Sequence, residues 1–173
     1  MSSGSRIPER HPSPNFERGR EGAHPCLIVL HTTVGTWSGT IDWFGRTESR
    51  VSAHYLVGLD GRIAQFVDEA DAARHAGKVR EPSAELVIEL GGNPNLYSIG
   101  IEFEDGGRPH DADRPAAHYA SGADLVAGAA ARWDIPLDRR HVIGHREITT
   151  AKECPGNLDV DRVVAEAAEL QRL

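Results

Sequence analysis

Two segments of the chain have the apolar patterns of buried strands. Residues 26–31 (CLIVLH) form a continuous apolar run, which is typical of a strand covered on both faces, and the run ends on His31. In residues 98–104 (SIGIEFE) apolar and polar side chains alternate, which predicts a strand with one polar face. Glu102 and Glu104 would then share that face.

A β-hairpin and a further strand are also predicted. Residues 52–67 contain two β-rich runs joined by Asp60 and Gly61, a dipeptide that readily adopts the positive φ values of a tight turn. A short strand is expected at 140–144, directly before His145. Two of the predicted strands are therefore followed by, or end on, a histidine.

Three segments have apolar side chains at helical spacing, which predicts amphipathic helices at 39–50, 116–133 and 159–173. Residues 68–76 are expected to form a short helical turn. Residues 77–97 contain two prolines and a glycine pair, so they are expected to be mainly loop. Strands alternating with helices indicate an α/β protein.

The length and composition fit one folded unit. A chain of 173 residues with 39% hydrophobic residues is long enough for one domain with a sizeable core. Residues 1–24 carry several prolines and glycines among charged residues, so we expect an extended N-terminal segment there. The folded domain is expected at 25–173.

Charge and hydropathy exclude several classes of partner. The formal net charge is -7 and no basic stripe is visible along which a phosphate backbone could lie, so nucleic acid is not an expected partner. No stretch approaches the roughly 18 consecutive apolar residues that span a membrane, and residues 1–20 lack the apolar core of a signal peptide. We therefore expect no membrane partner and synthesis in the cytoplasm. Cys26 and Cys154 are too few for a disulfide framework, so reduced thiols are expected.

Three side chains could bind a soft metal ion. His31 ends the first strand, His145 follows the strand at 140–144, and Cys154 lies nine residues further on. Two imidazoles and one thiolate would fill three positions of a tetrahedral zinc site and leave the fourth for water, which is the open arrangement of catalytic zinc. With nine histidines in the chain, any one of them taken alone is more often a core or surface residue than a ligand.

The surrounding motifs carry a family resemblance. Between residues 26 and 157 the chain resembles the zinc-dependent N-acetylmuramoyl-L-alanine amidases, a family that includes phage endolysins, muropeptide-recycling amidases and peptidoglycan recognition proteins. The motifs occur in the order of that family: IVLHTT (28–33), VSAHYLVGLDGRIAQFV (51–67), HAG (75–77), YSIGIEFE (97–104) and HREITTAKECPG (145–156). The resemblance implies a central mixed β-sheet flanked by helices, and it makes 25–173 the catalytic domain.

The same resemblance implies roles for individual residues. His31, His145 and Cys154 match the metal ligands, with Zn²⁺ as the cofactor. Glu102 matches the general base, although an exposed strand glutamate is the alternative interpretation. Lys152 matches the lysine that stabilises the oxyanion, with a solvated loop lysine as the alternative.

Other motif residues are expected at the substrate groove. His75, Asn95 and Tyr97 resemble positions that border the groove, and His54 either contacts substrate or supports a neighbouring residue. The chain departs from the phage lysozyme-amidase pattern at Ala53, where that branch has a tyrosine, so the role of base falls to Glu102. Four histidines outside these motifs are expected to lie away from the site: His24, His110, His118 and His141.

The expected activity is hydrolysis of the bond between N-acetylmuramic acid and L-alanine in peptidoglycan, by a monomer resembling phage endolysins. A phage-encoded enzyme would reach the wall by holin-type release. Three alternatives remain: a peptidoglycan-binding module without activity, a cytoplasmic amidase that recycles anhydro-muropeptides, and a cysteine peptidase that uses Cys154. A cysteine peptidase is disfavoured because a nucleophile usually sits at a helix N-terminus, whereas Cys154 precedes Pro155 and Gly156.

Overall fold

The computed structural model describes residues 8–108 and 110–172. Its strands are β1 (Glu9–Arg10), β2 (Phe16–Glu17), β3 (Leu27–Thr32), β4 (Tyr55–Val57), β5 (Ile63–Gln65), β6 (Ala72–Ala73), β7 (Ser98–Phe103) and β8 (Val142–Gly144). Its α-helices are α1 (Trp37–Phe44), α2 (Glu85–Leu90), α3 (Pro94–Tyr97), α4 (Ala116–Trp133) and α5 (Val160–Leu170).

The central sheet is mixed. Within the described part of the chain it has six strands in the order β1-β5-β4-β7-β3-β8. Strand β3 runs parallel to both neighbours, β7 and β8, whereas β4 and β5 form an antiparallel hairpin. A separate antiparallel pair joins β2 to β6. The predicted α/β architecture with a mixed sheet flanked by helices is therefore confirmed.

Both faces of the sheet are covered because successive side chains of a strand point to opposite sides. Ile28 and Leu30 of β3 pack into the large apolar cluster beneath α4 and α5. Leu27 and Val29 point the other way and pack with residues of α2 and α3. The side chain of His31 follows this second alternation, which brings it to the face that carries the candidate site.

Several predicted elements match the structure closely. The long helix predicted at 116–133 has the bounds of α4, and the closing helix begins at Val160, where the side chain of Asp159 accepts a hydrogen bond from the backbone N–H of Arg162. The hairpin turns at Gly61, whose φ of 84° is favourable for glycine. These elements combine strong periodicity with clear turn or cap residues.

The shorter elements differ from the predictions. The helix predicted at 39–50 spans Trp37–Phe44. It begins earlier than predicted because the side chain of Thr36 accepts the backbone N–H of Gly39 and caps the helix there. The helical turn expected at 68–76 is wrong, since Ala72 and Ala73 pair with the N-terminal strand β2. The loop expected at 77–97 contains α2 and α3, which are too short to produce a readable helical period.

The strand predicted at 98–104 is present as β7, with its apolar side chains in the core beneath α4 and with Glu102 on the opposite face. Glu104, just beyond the end of β7, is buried. The Glu104 carboxylate accepts the backbone N–H groups of Trp37 at 2.8 Å and Leu59 at 3.0 Å. It therefore stabilises the start of α1 and a neighbouring loop.

The described N-terminal residues pack against the rest of the chain. Strand β1 adds to the edge of the sheet, and the buried guanidinium of Arg20 donates to the carbonyl oxygens of Glu69, Asn95, Leu96 and Ser98. The division of the chain into an N-terminal segment at 1–24 and a catalytic domain at 25–173 stays a prediction.

Cys26 and Cys154 are both free thiols. Among the helices at 8–108 and 110–172, none is long and apolar enough to cross a bilayer.

Candidate metal centre and cleft

The structure brings together the three side chains predicted to bind metal. His31 lies near the carboxyl end of β3, His145 directly follows β8, and these strands are parallel neighbours, so both histidines emerge at the same edge of the sheet. One donor atom from each of His31, His145 and Cys154 lies within 4.8 Å of the other two, and all three residues are buried. This group could hold a metal ion.

The electrostatics of the group favour neutral imidazoles. Burial lowers the pKa of His31 well below its ordinary value, and the neighbouring His145, His75 and Lys152 lower it further. Burial also lowers the pKa of His145. Neutral imidazole is the form that binds a metal ion, so no proton has to be displaced from either ring near neutral pH.

Cys154 completes the group from a loop. The backbone N–H of Thr32 donates to its sulfur at 3.2 Å, and the sulfur lies 3.9 Å from Nδ1 of His31. Burial raises the pKa of the Cys154 thiol to about 12, with the nearby Glu102 adding to the shift. A free thiolate is therefore disfavoured unless a cation compensates its charge.

Glu102 faces the same space. It is the register partner of His31 across β3 and β7, so the two side chains leave the same face of the sheet. Its Oε2 is buried and has no hydrogen-bond partner within the described residues. Burial raises the pKa of Glu102 to about 8, and the carboxylate of Asp105 adds to that shift. The group can therefore change protonation state near neutral pH.

A cleft with two lobes opens over these residues. The main lobe has a volume of about 590 Å³ and is lined by the three candidate ligands, Glu102 and Lys152. The side lobe, of about 380 Å³, shares Lys152 and His145 with it and extends towards Arg50 and Asn95. Lys152 thus lies where both lobes meet the candidate metal centre.

Two of the four predicted groove residues lie at the cleft. His75 lines both lobes, and Asn95 lines the side lobe. Each is held by specific hydrogen bonds: Nδ1 of His75 lies 3.0 Å from Nε2 of His31, and Oδ1 of Asn95 accepts the backbone N–H groups of His75 and Ala76. His75 therefore contacts the candidate ligand His31 directly, and Asn95 holds the backbone of His75 in place.

His54 and Tyr97 line neither lobe, and the structure does not support substrate contact for either. His54 is fully buried; the backbone N–H of Gly100 donates to its Nδ1, and its Nε2 lies 3.1 Å from the carbonyl oxygen of Asp71. Of the two interpretations of His54, support of neighbouring residues fits this position. Tyr97 packs into the apolar cluster with Leu27.

Some cleft residues were missed by the sequence interpretation. His110 was expected to lie away from the site, but it lines the main lobe, and its Nδ1 is 2.8 Å from Oγ1 of Thr32. It reaches the cleft from a loop with a positive φ of 59°, which no periodic pattern could reveal. Trp43 lines the same lobe and is 49% exposed. Its spacing in an amphipathic helix is also that of a core residue, so the sequence could not distinguish the two positions.

The missing tyrosine of the lysozyme-amidase pattern is not replaced. Ala53 is buried, and the hydroxyl of Tyr55 donates to Glu69 at 2.9 Å on the opposite face of the sheet from the cleft. Within the described residues, Glu102 is the carboxylate that lines the main lobe beside the candidate ligands.

Comparisons with known proteins identify the family and agree with the fold. The sequence profile of the family described as N-acetylmuramoyl-L-alanine amidase matches residues 21–157, and the chain belongs to this family. It is 36% identical over 107 residues to N-acetylmuramoyl-L-alanine amidase A of Achromobacter lyticus, covering 61% of this chain and 51% of that protein. It is 34% identical over 113 residues to 1,6-anhydro-N-acetylmuramyl-L-alanine amidase AmpD of Citrobacter freundii, covering 55% and 57%.

A solved structure supports the relationship at the level of the whole fold. A crystal structure of a selenomethionine derivative of AmpD superposes with a TM-score of 0.74 at 25% identity, covering 92% of this chain and 93% of that one. In contrast, the chain matches only about half the length of the curated relatives, 51% and 57%.

Proposed function

We propose that this chain is a zinc-dependent amidase that hydrolyses the bond between N-acetylmuramic acid and L-alanine in peptidoglycan. One observation carries the proposal: two imidazoles and a thiol, distant in the sequence, converge beside a buried carboxylate in one open cleft. Membership of the N-acetylmuramoyl-L-alanine amidase family supports the choice of bond.

The donor set fits zinc. His31, His145 and Cys154 supply two nitrogens and one sulfur, the ligand types that select zinc over magnesium or calcium. When bound, zinc would activate water and polarise a carbonyl group as a Lewis acid. The N–H of Thr32 that donates to the sulfur of Cys154 would stabilise the thiolate form that binds the metal.

Glu102 is the proposed general base. Its buried Oε2 has no partner among the described residues, so it is free to accept a proton from a water molecule in the cleft. Burial raises the pKa of Glu102 to about 8, so its ionised form, the form that accepts a proton, increases as the pH rises towards and above 8. Glu102 would return that proton to the nitrogen of L-alanine as the amide bond breaks.

Lys152 is the proposed stabiliser of developing negative charge. Its side chain lines both lobes of the cleft beside the candidate ligands. A cation there would favour the oxyanion that forms on the carbonyl oxygen during attack, and loss of one such contact typically costs about 3 kcal/mol of transition-state stabilisation.

The substrate is peptidoglycan or a muropeptide, and we favour the polymer in the cell wall. The half-exposed Trp43 on the rim of the main lobe would suit a sugar ring of a glycan strand. Recycling of soluble anhydro-muropeptides is the second candidate, because the chain is similar to AmpD in sequence and in fold. A cysteine peptidase is disfavoured, since the raised pKa of Cys154 opposes a free thiolate nucleophile.

Incubation with intact sacculi, and separately with soluble anhydro-muropeptide, tests the proposal. Mass spectrometry should detect a released stem peptide with a free L-alanine amino group, and the preferred substrate decides between the lytic and recycling roles. Dipicolinate should abolish release and added zinc should restore it. Binding to sacculi without any release of peptide would instead identify a binding module. Light scattering of the same sample tests the proposed monomer.

A further inference from the structure

We propose that His75 and Ala76, held in place by Asn95, are positioning residues that fix the tautomers of both candidate histidine ligands. In this arrangement each of the two ligands carries its proton on Nε2 and presents Nδ1 to the metal. The inference rests on the proposed metal centre, and it reassigns His75 and Asn95 from contacting substrate to orienting the ligands.

The direction of the hydrogen bonds around His75 follows from Ser98. The hydroxyl of Ser98 donates to the carbonyl oxygen of Pro94 at 2.6 Å, which uses its only proton. Its oxygen, 3.1 Å from Nε2 of His75, must therefore accept a proton from that ring nitrogen. A neutral His75 with the proton on Nε2 has an unprotonated Nδ1.

The same logic then determines His31. Nδ1 of His75 is an acceptor, and it lies 3.0 Å from Nε2 of His31, so that nitrogen must carry the proton and donate it. The lone pair of His31 is left on Nδ1. This is the nitrogen that lies 3.9 Å from the sulfur of Cys154. The hydrogen bonds starting at Ser98 thus orient His31 for a metal shared with Cys154.

The second histidine is fixed by the next residue in the chain. Nε2 of His145 lies 2.9 Å from the carbonyl oxygen of Ala76, which can only accept, so Nε2 carries the proton and Nδ1 is left for the metal. Two consecutive residues therefore hold the two ligands, one through a side chain and the other through the backbone.

Asn95 holds these two residues together. Its Oδ1 accepts the backbone N–H of His75 at 3.0 Å and that of Ala76 at 2.8 Å. The backbone carbonyl of Asn95 in turn accepts a hydrogen bond from the buried Arg20. The ring of His75 also occupies space that only glycine at position 100 leaves free, because an added Cβ there would lie 2.4 Å from the ring.

A role of His75 in binding substrate would need a free ring nitrogen. Both are engaged, one with Ser98 and the other with His31, and the residue is only 8% exposed. Partners of this kind around a metal ligand typically change metal affinity by about 10- to 100-fold when they are removed. The position of His75 therefore matches an orienting role.

Long-range ¹H–¹⁵N NMR of the metal-free wild-type protein tests the tautomers directly. The expected result is a proton on Nε2 of His31, His75 and His145. A proton on Nδ1 of His31 or of His145 would overturn the inference. This measurement involves neither zinc nor substrate, so its outcome is independent of whether the chain proves to be an amidase.

Variants separate positioning from general support of the fold. His75→Ala should weaken zinc binding by about 10- to 100-fold in a competition with a chromophoric chelator. It should also leave His31 as a mixture of tautomers while His145 keeps its proton on Nε2, because the acceptor of His145 is the backbone of Ala76. Asn95→Ala should disturb both histidines.

His75→Gln provides a conservative test that keeps one acceptor and one donor on a chain of similar length. It should bind zinc more tightly than His75→Ala and restore part of the single-tautomer state of His31. His24→Ala, an exposed histidine, is the matched control and should bind zinc as the wild type does. Wild-type zinc affinity and His31 tautomer in a folded His75→Ala protein would refute the proposal.

Discussion

His31 and Glu102 are direct register partners on the adjacent parallel strands β3 and β7. Their side chains therefore leave the same face of the sheet side by side, and the separation between a candidate ligand and the candidate base is set by hydrogen bonds of the sheet. Both residues sit on rigid strands in the centre of the fold. A site built in this way needs no loop closure to bring these two groups together.

Replacing the candidate base should impair catalysis without removing the metal. Glu102→Gln keeps the size of the side chain but cannot accept a proton, so we expect kcat to fall by about 10²- to 10⁴-fold. Zinc should still bind, because Glu102→Gln leaves all three candidate ligands in place. Glu153→Gln, an exposed glutamate beside Cys154, is the control. Near-wild-type turnover in Glu102→Gln would exclude the role of base.

Zinc should stabilise the folded chain. The three donors are assembled only when β3, β8 and the loop at Cys154 are in place, so the metal binds the native state in preference to the unfolded one. At a free zinc concentration 100 times the Kd, the free energy of unfolding should rise by about 2.7 kcal/mol. Urea unfolding with and without zinc measures this increment, and Cys154→Ala should lose most of it. An equal increment in both proteins would place the metal elsewhere.

Acid should destabilise the protein through a histidine remote from the site. Burial, with Arg114 nearby, lowers the pKa of His118 to about 4, whereas an unfolded histidine has a pKa of about 6.5. Below pH 6.5 the unfolded state binds more protons than the folded state, so stability falls as the pH drops from about 6.5 to about 4. Between pH 7 and pH 4.5 this one group should account for about 2 kcal/mol.

His118→Leu should reduce that pH dependence by about the same amount in urea unfolding experiments. The carbonyl of Val57, which lies 3.2 Å from Nε2 of His118, also accepts the backbone N–H of Glu104 and so keeps a partner in the variant. His24→Leu, at an exposed histidine, is the control. An unchanged pH profile in His118→Leu would contradict the prediction.

Arg20 should be essential to stability although it lies in the segment before the first long strand. Its guanidinium donates to four backbone carbonyls and is buried, so Arg20→Met should leave those acceptors without their donor. We expect a loss of about 3 to 5 kcal/mol in the free energy of unfolding. Arg18→Met, an exposed neighbour, should change stability by less than about 0.5 kcal/mol. An equal free energy of unfolding in the two variants would show that the hydrogen bonds of Arg20 do not stabilise the fold.

The sequence was informative where a residue's position follows from a regular element or a motif. His31 and His145 could be predicted to converge because each marks the end of a strand, and parallel strands end at the same edge of a sheet. Glu102 could be predicted as a site residue from its motif. Its burial could not, since the alternating pattern of β7 looks half exposed until the covering helices and loops are known.

Other features depend on contacts between distant parts of the chain. The direction of the His75 ring follows from Ser98 and Asn95, which lie about 20 residues further on, and no spacing rule encodes that contact. His110 reaches the cleft through a loop with irregular backbone. Strand β6 exists because the N-terminal segment pairs with it, so its two alanines carry no local signal of their own.

The space above Gly100 makes two separate motifs mutually dependent. A methyl group at position 100 would collide with the imidazole of His75, and a displaced imidazole would release the hydrogen bond that orients His31. Gly100→Ala should therefore lower metal affinity from a position that offers no ligand atom. Anyone transplanting this centre into another protein would have to keep glycine at position 100 together with His75, because a larger residue there would displace the imidazole.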